Sequence, residues 1–223
     1  MLDRLRGLIV SIQPNAASVL NTPETVALLA RCAVANGAAG VRIEGVERIA
    51  AVRRAVDVPI VGLIKRAYPG FDPYITATEA DLDAVAAAGA DVVAFDATAR
   101  ERPGGWTVAN AVAALGRRGL IAMADCATAA ELGAAAAAGA QIVATTLCGY
   151  TADTRGAVLP ALDLLPAATA GGAFAILEGG VASPDDVRRA FSAGASAVVV
   201  GTAISDIDAQ VRRFAQAAAS GRA

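Results

Sequence analysis

The chain has 223 residues, 56% hydrophobic and 18% charged, with 19 basic against 21 acidic side chains and a formal charge of −2. It is too apolar for a disordered chain, and its near-neutral balance lacks the basic patch or high pI of a nucleic-acid binder. The length suits one sizeable core, no uncharged apolar run reaches the roughly 18 residues of a membrane span, and no export signal is expected from the opening MLDRLRGLIVSIQP.

In chain order, short apolar runs stand at 7–13 (GLIVSIQ), 36–43 (NGAAGVRI), 59–65 (PIVGLIK) and 88–95 (AGADVVAF). They continue at 120–126 (LIAMADC), 138–145 (AGAQIVAT), 173–180 (AFAILEGG) and 193–200 (AGASAVVV). Gly37, Gly89, Gly139 and Gly194, spaced by 52, 50 and 55 residues, sit where a helix should end before a β-branched run. Near-continuous apolarity marks strands buried on both faces.

The intervening segments read as helices. Thr78 with Asp81, Thr128 with Glu131 and Ser183 with Asp186 form capping-box patterns, Pro184 suits a first helical position, and 79–88 and 129–138 are alanine-rich. A final helix over about 206–219 puts Ile207, Val211, Phe214 and Ala218 on one face, either to cover the barrel or to pair with a second chain. Eight strand–helix units within 223 residues, with a repeat of about 50 residues carried around four times, predict a single-domain (β/α)8 barrel over 1–223; a doubly wound open sheet is the alternative.

Histidine is absent, which excludes histidine triads, histidine-ligated zinc and an imidazole base. Cys32, Cys126 and Cys148 are odd in number and without metal-type spacing, as fits a reducing cytoplasm; no metal and no cofactor are expected. Of the basic residues 18 are arginine and only Lys65 is lysine. Arginine is effectively never deprotonated, so the retained lysine is a candidate for chemistry that needs a free amine, against the plainer reading of a leftover surface residue.

In such a barrel, chemistry collects where strands end. The ends carry Gln13, Arg42, Lys65, Asp96, Asp125, Thr145 with Thr146, Glu178 and Gly201. Lys65 on strand 3 and Glu178 on strand 7 face each other across an eight-strand ring, the arrangement an epimerase needs to take a proton from one face of a carbon and return one to the other. As a base at neutral pH the lysine must lose roughly three units from its free value of about 10.4; burial and a nearby cation such as Arg42 both push that way. Glu178, as the acid, has to hold a proton. Asp125 stands where it orients Lys65, and Asp96 is either functional or bonded to the loop that follows it. Gly179-Gly180 and Gly201-Thr202 form a phosphate-type pattern, with N–H groups able to approach an anion near a helix N-terminus.

At GLIVSIQ, GLIKRAYPGFDPYITAT (62–78), FDATARERP (95–103), IAMADCAT (121–128), TTLCGYT (145–151), EGGVASPDDVRRA and VVVGTAI, together reaching over roughly residues 7–204, the chain resembles the N-acylglucosamine-6-phosphate 2-epimerase family. The resemblance implies interconversion of N-acetylmannosamine 6-phosphate and N-acetylglucosamine 6-phosphate in amino-sugar or sialic-acid catabolism, without a cofactor. It implies Lys65 as base, Glu178 as acid, Asp125 as support, Gln13 and Arg42 on the sugar, and a homodimer; Tyr74 and Thr145 are further candidate substrate-binding residues.

The chain departs from the family at Cys148, commonly histidine, in the loop PNAASVLNTPE after Gln13, and at Ser205-Asp206, where an arginine commonly helps bind phosphate. Arg42, Arg212 and Arg213 are the cations left to take that part. Competing readings are a Schiff-base aldolase or lyase using Lys65 as nucleophile, a sugar-phosphate-binding barrel without activity, and a metal site built from Asp96, Asp125 and Glu178.

Overall fold

The computed structural model describes residues 1–221. Strands β1 (Gly7–Ile12), β2 (Gly40–Glu44), β3 (Ile60–Leu63), β4 (Val92–Asp96), β5 (Ile121–Asp125), β6 (Ile142–Ala144), β7 (Phe174–Leu177) and β8 (Ala197–Val200) pair in sequence order. β8 pairs back to β1 in parallel, Gly7 opposite Ala197 and Val10 opposite Val200, so the sheet closes. Helices α1 (Pro23–Ala35), α2 (Val46–Arg53), α3 (Glu79–Ala87), α4 (Val108–Arg117), α5 (Ala129–Ala137), α6 (Leu165–Ala170), α7 (Pro184–Ser192) and α8 (Ile207–Ser220) follow the strands in turn. This is the expected (β/α)8 barrel rather than an open sheet.

The punctuation that signals the units is built as read. The four repeated glycines all adopt a φ between +94° and +98°, a conformation that side chains disfavour, and each turns the chain from a helix into the next strand. Thr128 with Glu131 and Ser183 with Asp186 close both halves of a capping box, each such cap contributing about 1 kcal/mol. Thr107 with Asn110 makes a further box that the sequence reading missed. Thr78 with Asp81 is only half a box: the threonine accepts from the Asp81 N–H, but the Asp81 carboxylate accepts from the Tyr68 hydroxyl and pairs with Arg66 at 3.0 Å.

Alternation along the strands separates two apolar layers. Ile9, Val61, Leu63, Val92, Ala94, Met123, Ile142, Ile176 and Val199 fill the barrel, whereas Val10, Val41, Ile43, Ile60, Val93 and Val143 pack under the helices. Leu5, in a short 3-10 turn (Leu2–Leu5), plugs the floor of the barrel. Gly40 makes room for it, because a Cβ there would lie 2.9 Å from Leu5 Cδ2 and 3.1 Å from the Pro59 carbonyl.

Two expectations need correcting. The runs 7–13, 59–65, 120–126 and 173–180 overshoot: regular pairing stops at Ile12, Leu63, Asp125 and Leu177, so Gln13, Lys65 and Glu178 stand above the sheet while Asp125 is its last paired residue on β5. And α8 does not cover the barrel, since none of its residues is buried and Val211 and Phe214 are 60% and 72% exposed. Among the described residues, no helix is long and apolar enough to cross a membrane.

Candidate active site

The same alternation that points Leu63, Ala144 and Ile176 inward brings Lys65, Thr146 and Glu178 to the inner face two residues later. With Gln13, Arg42 and Tyr74 they line a cavity of about 720 Å³ at the C-terminal mouth, and Gly179, Gly180, Gly201 and Thr202 complete its wall. Asp125 lies just beneath, with no exposed surface. Thr145 is not part of the lining. One residue out of phase, it points away, and its hydroxyl exchanges hydrogen bonds with the Glu178 backbone, donating at 2.8 Å and accepting at 3.1 Å. It fastens β6 to the Glu178 strand, and Thr146 is the threonine at the cavity.

Arg42 organises the floor. Its Nη2 donates to Asp125 Oδ2 at 2.5 Å, and its Nη1 pairs with Glu178 Oε2 and reaches Thr146 Oγ1 at 3.2 Å. The Thr146 hydroxyl donates to Asp125 Oδ1 at 2.7 Å, with Glu178 Oε2 at 3.1 Å from the same oxygen. Burial pushes the Asp125 carboxyl up, against the opposing pull of Arg42 and Thr146. Two buried polar atoms in this floor have no protein partner among the described residues: Arg42 Nε and Gln13 Oε1.

Lys65 is arranged differently. Its ammonium has neither an ion-pair nor a hydrogen-bond partner among the described residues, although its backbone N–H donates to Glu44 Oε1 at 3.4 Å. The residue as a whole is exposed at the mouth, but partial desolvation by the surrounding wall, and then Arg42, hold its pKa below the ordinary value, while Glu44 and Asp125 pull it back up. Glu44 is itself shared with Arg48, which also bonds Asn21 at 2.7 Å.

The segment after Lys65 doubles back as a small hairpin: the Arg66 N–H bonds the Tyr74 carbonyl at 2.9 Å and the Thr76 N–H the Ile64 carbonyl at 2.8 Å. Thr76 takes a φ of +43°, and its hydroxyl accepts from the Ile64 N–H at 3.2 Å. The fold-back places Tyr74 and Ile75 against the cavity. Burial, then the charges of Asp125 and Asp96, raise the Tyr74 phenol, so it stays protonated as a donor.

Asp96 is a loop bracket. Its Oδ1 accepts from the Thr98 N–H at 3.0 Å and the Thr98 hydroxyl at 2.7 Å, and its Oδ2 from Arg100 at 2.7 Å. Arg102 bonds its backbone carbonyl at 2.9 Å. The Asp-Ala-Thr-x-Arg-x-Arg-Pro motif therefore holds its own turn. Among the described residues no three carboxylate, thiol or imidazole groups gather as a metal would require, so Asp96, Asp125 and Glu178 do not form a ligand set.

At the far side, the N–H groups of Gly179, Gly180, Val181, Thr202 and Ala203 have no acceptor among the described residues. Ser205 tethers its turn to the Ser11 carbonyl, and Asp206 caps α8 by accepting from the Ala209 N–H at 2.9 Å. Ser205 and Asp206 are thus both engaged in local structure. Cys148 is buried and stands outside the cavity lining.

Residues 26–220 match the family model described as "Putative N-acetylmannosamine-6-phosphate epimerase". A curated relative from Synechococcus elongatus, bearing the corresponding 2-epimerase name, is 46% identical over 221 residues, 97% of this chain and 95% of its own. One of the same name from Yersinia pestis is 45% identical over 202 residues, 91% of this chain and 85% of its own. The solved N-acetylmannosamine-6-phosphate 2-epimerase from Clostridium perfringens superposes with a TM-score of 0.93 at 33% identity, over 97% of this chain and 95% of that one. The chain therefore belongs to the N-acetylmannosamine-6-phosphate epimerase family and is a carbohydrate epimerase, an enzyme of the isomerase class.

Proposed function

We propose that this chain interconverts N-acetylmannosamine 6-phosphate and N-acetylglucosamine 6-phosphate by removing the C2 proton from one face and returning a proton to the other. The observation that carries the mechanism is the pairing of an unpartnered, pKa-lowered Lys65 amine with the Glu178 carboxylate in one cavity. In the open-chain sugar, C2 adjoins the C1 aldehyde, so loss of its proton gives an enediolate. A proton count fits both directions: amine with carboxylic acid serves one epimer, ammonium with carboxylate the other, and each turnover converts one state into the other.

In this reading Asp125 and Arg42 hold the floor and Thr146 fixes Glu178. Gln13 Oε1 and Arg42 Nε are the unpartnered groups that a sugar hydroxyl or the developing oxyanion satisfies, and Tyr74 donates from the hairpin. The loose N–H groups beside Gly179, Gly180, Gly201 and Thr202 take the phosphate. The enzyme then acts in amino-sugar or sialic-acid catabolism in the cytoplasm. It works as a homodimer, for which the exposed Ile207, Val211 and Phe214 face of α8 is the available surface.

Proton NMR in deuterated water tests the chemistry. With N-acetylmannosamine 6-phosphate, the expected result is the gluco epimer carrying deuterium at C2, and a rate reduced about 10²–10⁴-fold in Lys65→Ala. Lys65→Arg should be equally impaired, because a guanidinium cannot take the proton. A mass adduct after borohydride treatment with substrate would instead favour the Schiff-base reading, and absence of C2 exchange would overturn the epimerase.

A further inference from the structure

We propose that Arg213, projecting from α8, is the side-chain cation that holds the substrate phosphate and so sets the preference for a phosphorylated over an unphosphorylated amino sugar; this rests on the epimerase reading above. Among the described residues three cations line the cavity: Arg42, Lys65 and Arg213. Arg42 is bound into the floor by Asp125 and Glu178. Lys65 is the base of the proposed proton transfer. Arg213 has no ion-pair or hydrogen-bond partner among the described residues, and its neighbour Arg212 does not line the cavity.

The helix geometry supports the assignment. Asp206, Ala209, Gln210 and Arg213 fall at i, i+3, i+4 and i+7, one face of α8, and all four line the cavity. Gln210 anchors that face by donating to the Thr202 carbonyl at 2.7 Å. Long side chains on a helix lean toward its N-terminus, which directs Arg213 back toward the unpartnered N–H groups of Thr202 and Ala203. The Asp206 carboxylate at this end repels a phosphate, so backbone donors alone face an opposing charge there. A guanidinium supplies the missing positive charge and can bind two phosphate oxygens at once. Arg213 stands two helical turns beyond Asp206, which is left to cap α8.

The test compares wild type with Arg213→Ala on N-acetylmannosamine 6-phosphate and on N-acetylmannosamine, and titrates both proteins with inorganic phosphate by calorimetry. The expected result is a KM for the phosphorylated sugar raised about 10–100-fold, with kcat changed less than about threefold. Turnover of the unphosphorylated sugar should be unaffected, phosphate binding weakened, and both effects partly restored in Arg213→Lys. Arg212→Ala should change neither. Equal phosphate affinity in wild type and Arg213→Ala, or parallel losses on both sugars, overturns the assignment. If wild type exchanges no C2 proton in either sugar, the epimerase reading fails on its own, and the phosphate titration still decides the role of Arg213.

Discussion

Arg42 Nη2 and Asp125 Oδ2 lie 2.5 Å apart with side chains only 1% and 0% exposed, one on β2 and the other on β5. A pair this dry draws little net stability from existing, but removing one partner strands a buried charge, at a cost of about 3–5 kcal/mol. Arg42→Met, which strands Asp125 beside Glu178, should lower the unfolding free energy by about that amount in urea titration. Arg42→Met with Asp125→Leu should recover part of the stability and none of the activity. If both proteins unfold like wild type, the pair does not hold the floor.

Lys65 predicts a direction for the pH profile. Partial desolvation and Arg42 keep it below the ordinary 10.5, and Glu44 raises it again. When Lys65 takes the C2 proton the working form has a neutral Lys65 and a protonated Glu178, so kcat/KM in that direction should be bell-shaped in pH, with one limb set by a Lys65 pKa below 10.5. Glu44→Gln removes a charge that favours the ammonium, so the limb set by Lys65 should move to lower pH. Deuterium incorporation at C2 followed against pH reads both, and a limb that moves upward contradicts this electrostatic ordering.

Asp96 should matter to the fold more than to the chemistry. Its oxygens are engaged by Thr98 and Arg100 inside one turn. Asp96→Asn should cost about 1–3 kcal/mol in thermal or chemical unfolding, as expected when a charged, buried acceptor is lost. The kcat of the folded variant should stay within about tenfold of wild type, far above the 10²–10⁴-fold loss of a proton-transfer group. A larger fall in kcat would favour the functional reading of Asp96 over the loop-bonding one.

The floor gives a fourth expectation. A methyl group on Gly40 would press on Leu5 Cδ2 at 2.9 Å and on the Pro59 carbonyl at 3.1 Å, and the backbone oxygen cannot yield. Gly40→Ala should destabilise by about 1–3 kcal/mol through overpacking. Gly133, which has open space around it, is the control: Gly133→Ala in α5 should be neutral or slightly stabilising by helix propensity.

Much of the site was legible because a barrel converts strand order into position. Lys65 and Glu178 need only the count of strands to be set across from each other, and period 2 carries both inward from Leu63 and Ile176. The same rule applied to β6 selects Thr146 over Thr145, a discrimination that strand-end polarity alone does not make. Tyr74 reaches the cavity through a hairpin that depends on Thr76 at positive φ and on hydrogen bonds to Ile64, neither of which has a periodic signature.

The sequence by itself determined the eight units, their glycine and cap punctuation, the buried runs and the pair of proton-transfer candidates, because these follow from local conformational preference and short-period burial. Tertiary structure alone decided how the charges are shared. Whether Arg42 serves Asp125, Glu178 or a ligand depends on three strands meeting within hydrogen-bond distance. Whether Asp81 caps its helix or binds Tyr68 depends on where a distant hydroxyl lands. Whether α8 covers the barrel depends on the direction the chain takes after Asp206. Those outcomes are competitions between partners far apart in the chain, and only the closed barrel brings the competitors together.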